Sequence, residues 1–466
     1  MLNPSSSTAP QAYSRLSKVK SVFSCQNCGA QFPKWMGQCS SCKSWNTISE
    51  EVVRLSPVSE FSSSRSSREG TIPLNEIKGE STERISLGIG EFDRLLGGGL
   101  VPGSVTLLGG APGVGKSTLL LQLSVMYADK VLYVSGEESL RQIKLRADRL
   151  DYHSENCYIL AETRTQGILL ELEALSAPLV IVDSVQTLHS DLIEAPPGSV
   201  SQIRQCTAEL IRFAKETHTA VILVGHITKD GGLAGPKLLE HMVDTVLQFE
   251  GDAQYGFRVL RSLKNRFGST SELGIFEMQG SGLREVLNPS ELLLSRQAQQ
   301  LSGTAVASTL EGVRPLFAEI QSLVSSAVYG TPQRSSTGFP VKRLQMLLAV
   351  LERRAGFALG SKDVFVNVTG GIQLTDPAMD LAVIAAILSS HADRTLPIGS
   401  CFAAEVGLAG EIREVQRLDA RIAEAEKLGF RSIYVASTAR TTGRNKSINV
   451  VGLETVKELV DRLFSA

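Results

Sequence analysis

Ser104-Val105-Thr106-Leu107-Leu108-Gly109-Gly110-Ala111-Pro112-Gly113-Val114-Gly115-Lys116-Ser117-Thr118 begins as a buried strand, passes through a glycine-rich loop and opens a helix. Its centre, Gly110 to Ser117, fits G-x-x-x-x-G-K-S/T, the pattern of a loop that cradles phosphates. The glycines let successive backbone N–H groups turn inward, Lys116 supplies a point charge, and the Ser117 hydroxyl is a ligand for Mg²⁺. Leu119, Leu120, Leu123 and Tyr127 recur at helical spacing beyond the loop, so a helix aims its positive end at the anion. The chain is therefore expected to bind a nucleoside triphosphate, ATP with Mg²⁺. Gly110, Ala111, Pro112, Gly113, Val114, Gly115, Lys116, Ser117 and Thr118 form the cradle.

Working outward, Lys130-Val131-Leu132-Tyr133-Val134, Leu179-Val180-Ile181-Val182 and Ala220-Val221-Ile222-Leu223-Val224 are continuous apolar runs separated by helical stretches. Strands of this kind are covered on both faces, which predicts an α/β fold with a mainly parallel sheet. Ligands gather at the carboxyl ends of such strands, and each run here ends in a polar residue. Asp183 reads as the carboxylate beside the magnesium ion, or as a helix cap after a strand. Glu137 stands where a carboxylate orients or deprotonates the attacking water, with Glu138 a near rival, or else is a solvated turn acid. His226 follows Val224-Gly225 and reads either as a reporter of the γ-phosphate or as a satisfied surface histidine.

Composition bounds the remainder. With 466 residues, 42% of them hydrophobic and 20% charged, the chain has material for about two or three ordinary domains. A formal net charge of −1 neither favours nor excludes nucleic acid, because basic residues can concentrate on one face. No apolar run of about 18 residues occurs, and the Ser-rich start lacks the apolar core of a secretory signal, so a cytoplasmic protein is expected. Seven cysteines in this length do not make a disulfide scaffold. Cys25, Cys28, Cys39 and Cys42 instead form C-x2-C-x10-C-x2-C, two thiolate knuckles that suit one tetrahedral Zn²⁺. Phe32, Trp35 and Met36 are too few to hold this module alone, so the metal is expected to supply its folding energy, ~10–16 kcal/mol in small zinc peptides. Trp35 and Trp45 are open to three roles: contacting DNA, contacting a protein, or packing the small interior.

These boundaries give a flexible terminus over 1–22, a zinc ribbon over 23–50 and a Ser-rich linker over 51–80. An ATPase domain over 81–287 follows, and a third unit over 288–466 that mixes helices such as Val341 to Arg353 with strands such as Val364 to Val368. Lys264 and Arg266 flank Asn265 in a strand-to-turn segment, from which two cations reach either a phosphate on a neighbouring subunit or a DNA backbone. Two long polar segments, Asp191 to Arg204 and Lys229 to His241, leave the same side of the sheet as the phosphate site. Arg204, Lys229 and Lys237 make them either phosphate-gripping loops or plain solvent loops.

Leu96 to Leu100, Tyr133 to Ser139, Asp183 to Thr187 and Gly225 to Lys229 together resemble the RecA-like ATPases. With the four-cysteine ribbon and Lys264-Asn265-Arg266-Phe267-Gly268, the likeness extends over essentially the whole chain to the RadA (Sms) family of bacterial DNA repair proteins. The resemblance implies that Glu137 is the catalytic glutamate, Lys116 and Ser117 the phosphate-loop pair and Asp183 the carboxylate on the Mg²⁺ side, that Lys264 and Arg266 reach a neighbour's phosphate, and that subunits form a hexameric ring; His226, from its position, is a further catalytic candidate. The resemblance also implies DNA-lining loops at Arg204, Lys229 and Lys237, and branch migration on single-stranded and branched DNA beside a RecA-type recombinase.

Beyond residue 290, Asn367 to Gly371, Thr375 to Ala382 and Gly407 to Ile412 resemble the α+β proteolytic domain of the Lon family. That family needs a serine nucleophile and a lysine base. Ala378 falls at the serine's place and Asp419 near the lysine's, so a scaffold is expected, with Lys342, Arg343, Arg353 and Arg354 as basic surface. An ATP-driven protease and a nucleotide-switched ring that ignores DNA are the rival functions.

Overall fold

A computed structural model describes residues 19–25, 29–54, 73, 83–150, 153–226, 238–251, 256–288, 290, 293–294, 301–327, 330–371, 373–440 and 447–464. Cys28, Lys229 and Lys237 lie outside them. The chain divides into two compact units. One comprises Met1–Gly88, Gly98–Gln248 and Lys264–Phe267, the other Ile89–Gly97, Phe249–Leu263 and Gly268–Ala466.

Within the first unit, the cysteine ribbon is a small antiparallel sheet in which Val19–Cys25 pairs with both Gln31–Phe32 and Ile48–Arg54. Its described interior consists of Cys25, Cys39 and Ile48, with Phe23, Ala30, Phe32, Met36 and Cys42 packed against them. So small a core leaves the fold dependent on a crosslink through the sulfurs.

The remainder of that unit is the α/β core read from the apolar runs. Parallel strands lie in the order Cys157–Ala161, Val131–Ser135, Leu179–Asp183, Ala220–His226 and Val105–Gly110. Every residue of Val105–Gly110, Val131–Ser135 and Leu179–Asp183 is buried, as strands covered on both faces require. The helices that cover them start where the sequence caps them. Ser139 and Gln142 make a reciprocal capping box ahead of Leu140–Ala147, and the Ser199 side chain accepts from the Gln202 amide ahead of Val200–Thr217. Ile203, Cys206, Leu210 and Phe213 then recur at helical spacing into the core.

That second cap corrects an expectation. Arg204 does not belong to a loop; it is an exposed residue of the helix Val200–Thr217, because Ser199 starts the helix before it.

The second unit takes in the meander Leu273–Gln279 and Gly282–Glu285 ahead of Asn288, since Val259, Leu273, Ile275 and Val286 enter its core. Its main sheet is mixed, in the order Arg334–Thr337, Lys362–Val368, Arg314–Ser326, Thr304–Glu311, Ser400–Phe402, Ser432–Ala436 and Asn449–Leu453. The helix Asp380–Ala392 is buried continuously from Asp380 to Ser389, so it is apolar all round apart from its first residue and last turns. Its buried Asp380 needs a partner and finds Arg343, which also reaches Glu405. Burial pushes the Asp380 carboxyl up, and the Arg343 hydrogen bond holds it back. Arg343 is thus a structural cation and not part of a basic surface, whereas Lys342, Arg353 and Arg354 are exposed.

The Lon-like turn has a similar anchor. Ala378 is fully buried, and its amide donates to Asp376 Oδ1 at 3.0 Å. From the helix Leu418–Lys427, Arg421 reaches this turn. Its guanidinium is 1% exposed and lies 2.6 Å from Asp376 Oδ2, with the Ser308 and Gln416 carbonyls as further acceptors. Removing one member of a buried pair strands the other charge, at a cost of ~3–5 kcal/mol. Arg421→Met is therefore expected to lower the urea midpoint of the second unit by that equivalent, measured by far-UV circular dichroism against wild type.

Candidate nucleotide and metal sites

The parallel register gathers the carboxyl ends of four strands on one edge in two pairs, and since Val182 aligns with Leu223 the second pair ends two residues before the first. Gly110 stands opposite His226, and Ser135 opposite Asp183. The phosphate loop continues from Gly110, with Ala111 to Gly113 exposed and Lys116 4% exposed. Gly113 and Gly115 have φ of 77° and 112°, values that only glycine adopts cheaply, and Gly115 is the N-cap of the helix Lys116–Met126. That helix has no side-chain cap and no acidic residue in its first turn, so its opening amides face the loop as an anion site. Lys116 Nζ donates to the Gly110 and Ala111 carbonyls at 2.8 and 3.0 Å. Burial lowers its pKa, and the nearby charges of Asp183 and Glu137 oppose that shift. Lysine and both carboxylates therefore share one site.

Asp183 is 8% exposed, and its Oδ2 accepts from the Tyr133 hydroxyl at 2.8 Å. Burial first, and then Asp183, push the Tyr133 phenol far above its ordinary range, so it stays a donor. Glu137 Oε1 accepts from the Ser184 hydroxyl at 2.7 Å. Glu138 turns elsewhere: its amide donates to Ser135 Oγ at 3.0 Å and its carboxylate pairs with Arg146. The two adjacent glutamates are thereby separated, with Glu137 the one in the Lys116 site. The turn that carries Glu137 is tight. A Cβ on Gly136 would lie 2.0 Å from Thr187 Oγ1, and the Gly136 amide donates to the Asp183 carbonyl at 3.0 Å.

Tyr133 and Ser184 were not among the residues picked from sequence. A tyrosine inside a fully buried apolar strand must find an acceptor for its hydroxyl, and that signal was available. His226 ends its strand beside Gly110, as expected for its backbone.

The cation pair sits apart from this cluster. Lys264 Nζ donates to the carbonyls of Glu240, His241 and Val243 at 2.7, 3.3 and 2.7 Å. Arg266, an exposed residue, pairs with Asp244 Oδ1 at 3.2 Å. Asp244 is buried and anchors the group to the amino end of the strand Val105–Gly110, where its Oδ2 accepts from the Val105 amide at 3.1 Å. The two cations therefore do not extend side by side from a free turn; Lys264 is held by carbonyls and Arg266 is the outward member.

In the ribbon, the Sγ atoms of Cys25, Cys39 and Cys42 all lie within 4.8 Å of one another, and Cys25 and Cys42 are 3.7 Å apart. A tetrahedral zinc with Zn–S of ~2.3 Å sets sulfur pairs ~3.8 Å apart, so the donor set fits such an ion. Thr47 Oγ1 lies 3.2 Å from Cys25 Sγ and is placed to donate to a metal-bound thiolate.

Two family profiles match, an AAA domain over residues 89–232 and a rubredoxin metal binding domain over residues 23–50. The DNA repair protein RadA of Bacillus subtilis (strain 168) is 46% identical over 450 residues, which is 95% of this chain and 98% of that protein. The chain belongs to the RadA family. RadA of Streptococcus pyogenes serotype M1 is 47% identical over 457 residues, covering 97% of this chain and 100% of its own. Among solved structures, a RadB recombinase aligns with a TM-score of 0.37 and 22% identity, over 43% of this chain and 99% of its own. The phosphate loop, strand topology and family together make this a RecA-like ATPase with an amino-terminal metal ribbon. Among the described residues no helix is long and apolar enough to cross a membrane.

Tyr133→Phe keeps the ring and deletes the donor to Asp183. A hydrogen bond to a charged group is worth ~1.5–3 kcal/mol, so kcat for ATP is expected to fall about tenfold or more, with Tm little changed. An unchanged kcat would remove Tyr133 from the site. Chelation addresses the ribbon separately: both tryptophans lie in it, so a thiol-competing chelator is expected to change the intensity of their emission while far-UV circular dichroism holds.

Proposed function

We propose that this protein is a DNA-dependent ATPase of recombination and repair, a ring motor that hydrolyses Mg²⁺·ATP to move along single-stranded DNA and drive branch migration. Lys116 holds the phosphates, Ser117 and Asp183 hold the magnesium ion and its water, and Glu137 takes the proton from the attacking water. His226 relays the presence of the γ-phosphate to the segment Lys229 to His241, whose Lys229 and Lys237, with Arg204, grip the DNA backbone. The ribbon metal is Zn²⁺ on Cys25, Cys28, Cys39 and Cys42. Residues 81–287 act as the motor and 288–466 as a scaffold.

One observation carries the ring reading. Asp244 fixes Arg266 at the amino end of the strand Val105–Gly110, while the phosphate loop leaves from its carboxyl end. Strand rise of ~3.3 Å per residue puts about 17 Å between those ends. Arg266 therefore serves a neighbour's phosphate better than its own, as an arginine finger does, with Lys264 positioning the turn through its three carbonyl contacts. Repetition of such a head-to-tail contact closes a ring, here taken as a hexamer. Proteolysis is disfavoured because Ala378 offers no nucleophilic atom and the nearby Arg421 is engaged by Asp376. The cytoplasm and a RecA-type recombinase are the expected setting and partner.

The test is complementation between inactive variants. Lys116→Ala and Arg266→Ala are each expected to lose DNA-stimulated ATPase activity. Mixed in equal amounts, they are expected to regain about a quarter of wild-type activity, since one contact in four then combines an intact loop with an intact finger. No recovery in freshly reassembled mixtures would sink the shared site. Absence of any stimulation by single-stranded DNA in wild type would favour the nucleotide-switched ring.

A further inference from the structure

Trp35 and Trp45 are the chain's two tryptophans, and both stand on the ribbon with 58% and 69% of their surface exposed. Neither fills the ribbon interior, which Ile48, Phe23, Phe32 and Met36 supply. Both indoles reach Gly37. A Cβ there would lie 3.8 Å from Trp35 Cη2 and 3.8 Å from Trp45 Cζ3. With no side chain at that position, a gap is left beside both rings, and among the described residues beyond its chain neighbours nothing else comes within 4 Å of where the Cβ would be.

The backbone beneath is fixed by the metal knuckle. Lys43 N donates to Cys39 O, Cys39 N to Ser44 O and Asn46 N to Gly37 O, at 2.9, 2.9 and 2.8 Å. Gln38 and Trp45 pair as an isolated bridge, and Gln38 Nε2 donates to Lys43 O at 2.9 Å. Charge in this stretch has one sign: from Gly29 to Ser49 the side chains include exposed Lys34 and Lys43 and no carboxylate, with exposed Glu50 just beyond. Lysine is depleted from the centres of protein–protein interfaces, whereas aromatic rings beside cations are what single-stranded nucleic acid uses.

We propose that this face of the ribbon is a stacking platform for single-stranded DNA, with the Trp35 and Trp45 indoles receiving bases across Gly37 and Lys34 and Lys43 holding the adjoining phosphates. The proposal rests on the reading of the motor as one that acts on single-stranded DNA, and it adds a second contact outside the motor. Stacking on a π-face is tolerant of sequence, so no base preference is expected.

Because no other tryptophan is present, intrinsic fluorescence reads this site directly. The full-length, metal-loaded protein is titrated with oligothymidylate, with an abasic strand of equal length and with polyglutamate. Quenching by oligothymidylate alone is expected. Trp35→Ala and Trp45→Ala are each expected to weaken the quenching titration about tenfold. Gly37→Val, which keeps both indoles and fills the gap, is expected to weaken it similarly while the free protein's emission maximum stays that of wild type. Equal quenching by the abasic strand would overturn base stacking, and quenching by polyglutamate would assign the face to an acidic protein. DNA-stimulated ATPase activity without quenching sinks the platform alone. Quenching without stimulation sinks the motor reading and leaves the platform standing.

Discussion

Parallel hydrogen bonding gathers the carboxyl ends of the central strands on one edge, in two pairs offset by two residues, and the nucleotide site is built there. Gly110 opposite His226 and Ser135 opposite Asp183 place the start of the phosphate loop, Asp183 and the Glu137 turn along one edge. A one-residue slip in any of these pairings would turn its side chains to the other face. Complete burial of the strands makes such slips costly, because each strand is specified from both sides. Lys116 is then enclosed near Asp183 and Glu137, which offset part of the penalty of burying its charge.

Much of this was legible in the sequence, for a physical reason. A strand buried on both faces must be a continuous apolar run, so where the run stops is where the ligand edge begins. Asp183, the phosphate loop and the Val131–Ser135 strand were read this way, and the cysteine spacing gave the ribbon's sulfur cluster. Polar partnerships across the sheet were not legible. Nothing in the spacing of Tyr133 and Asp183 says that they meet, because parallel strands joined by long crossovers bring together residues of any separation.

The basic residues were read least well, since sequence shows a charge but not whether a buried acid claims it. Arg343 and Arg421 look like surface cations on amphipathic helices. Each is drawn inward by an aspartate, Asp380 on a helix buried all round and Asp376 at the turn before Ala378. Lys264 is captured differently, by three carbonyls that offer partial negative charge in place of a carboxylate. Arg204 was misplaced for a simpler reason: the Ser199 cap begins a helix within what composition marked as loop.

Gly136 draws a different kind of boundary. Its missing side chain lets the Thr187 hydroxyl lie where a methyl group would be. Thr187 in turn bonds the Ser184 carbonyl at 2.8 Å, one residue beyond Asp183, while Ser184 itself donates to Glu137. Glu137 and Asp183 are thus spaced by an absence of bulk, with no charge involved. Divergence along this segment is consequently constrained by volume: position 136 can grow only if position 187 shrinks in the same lineage.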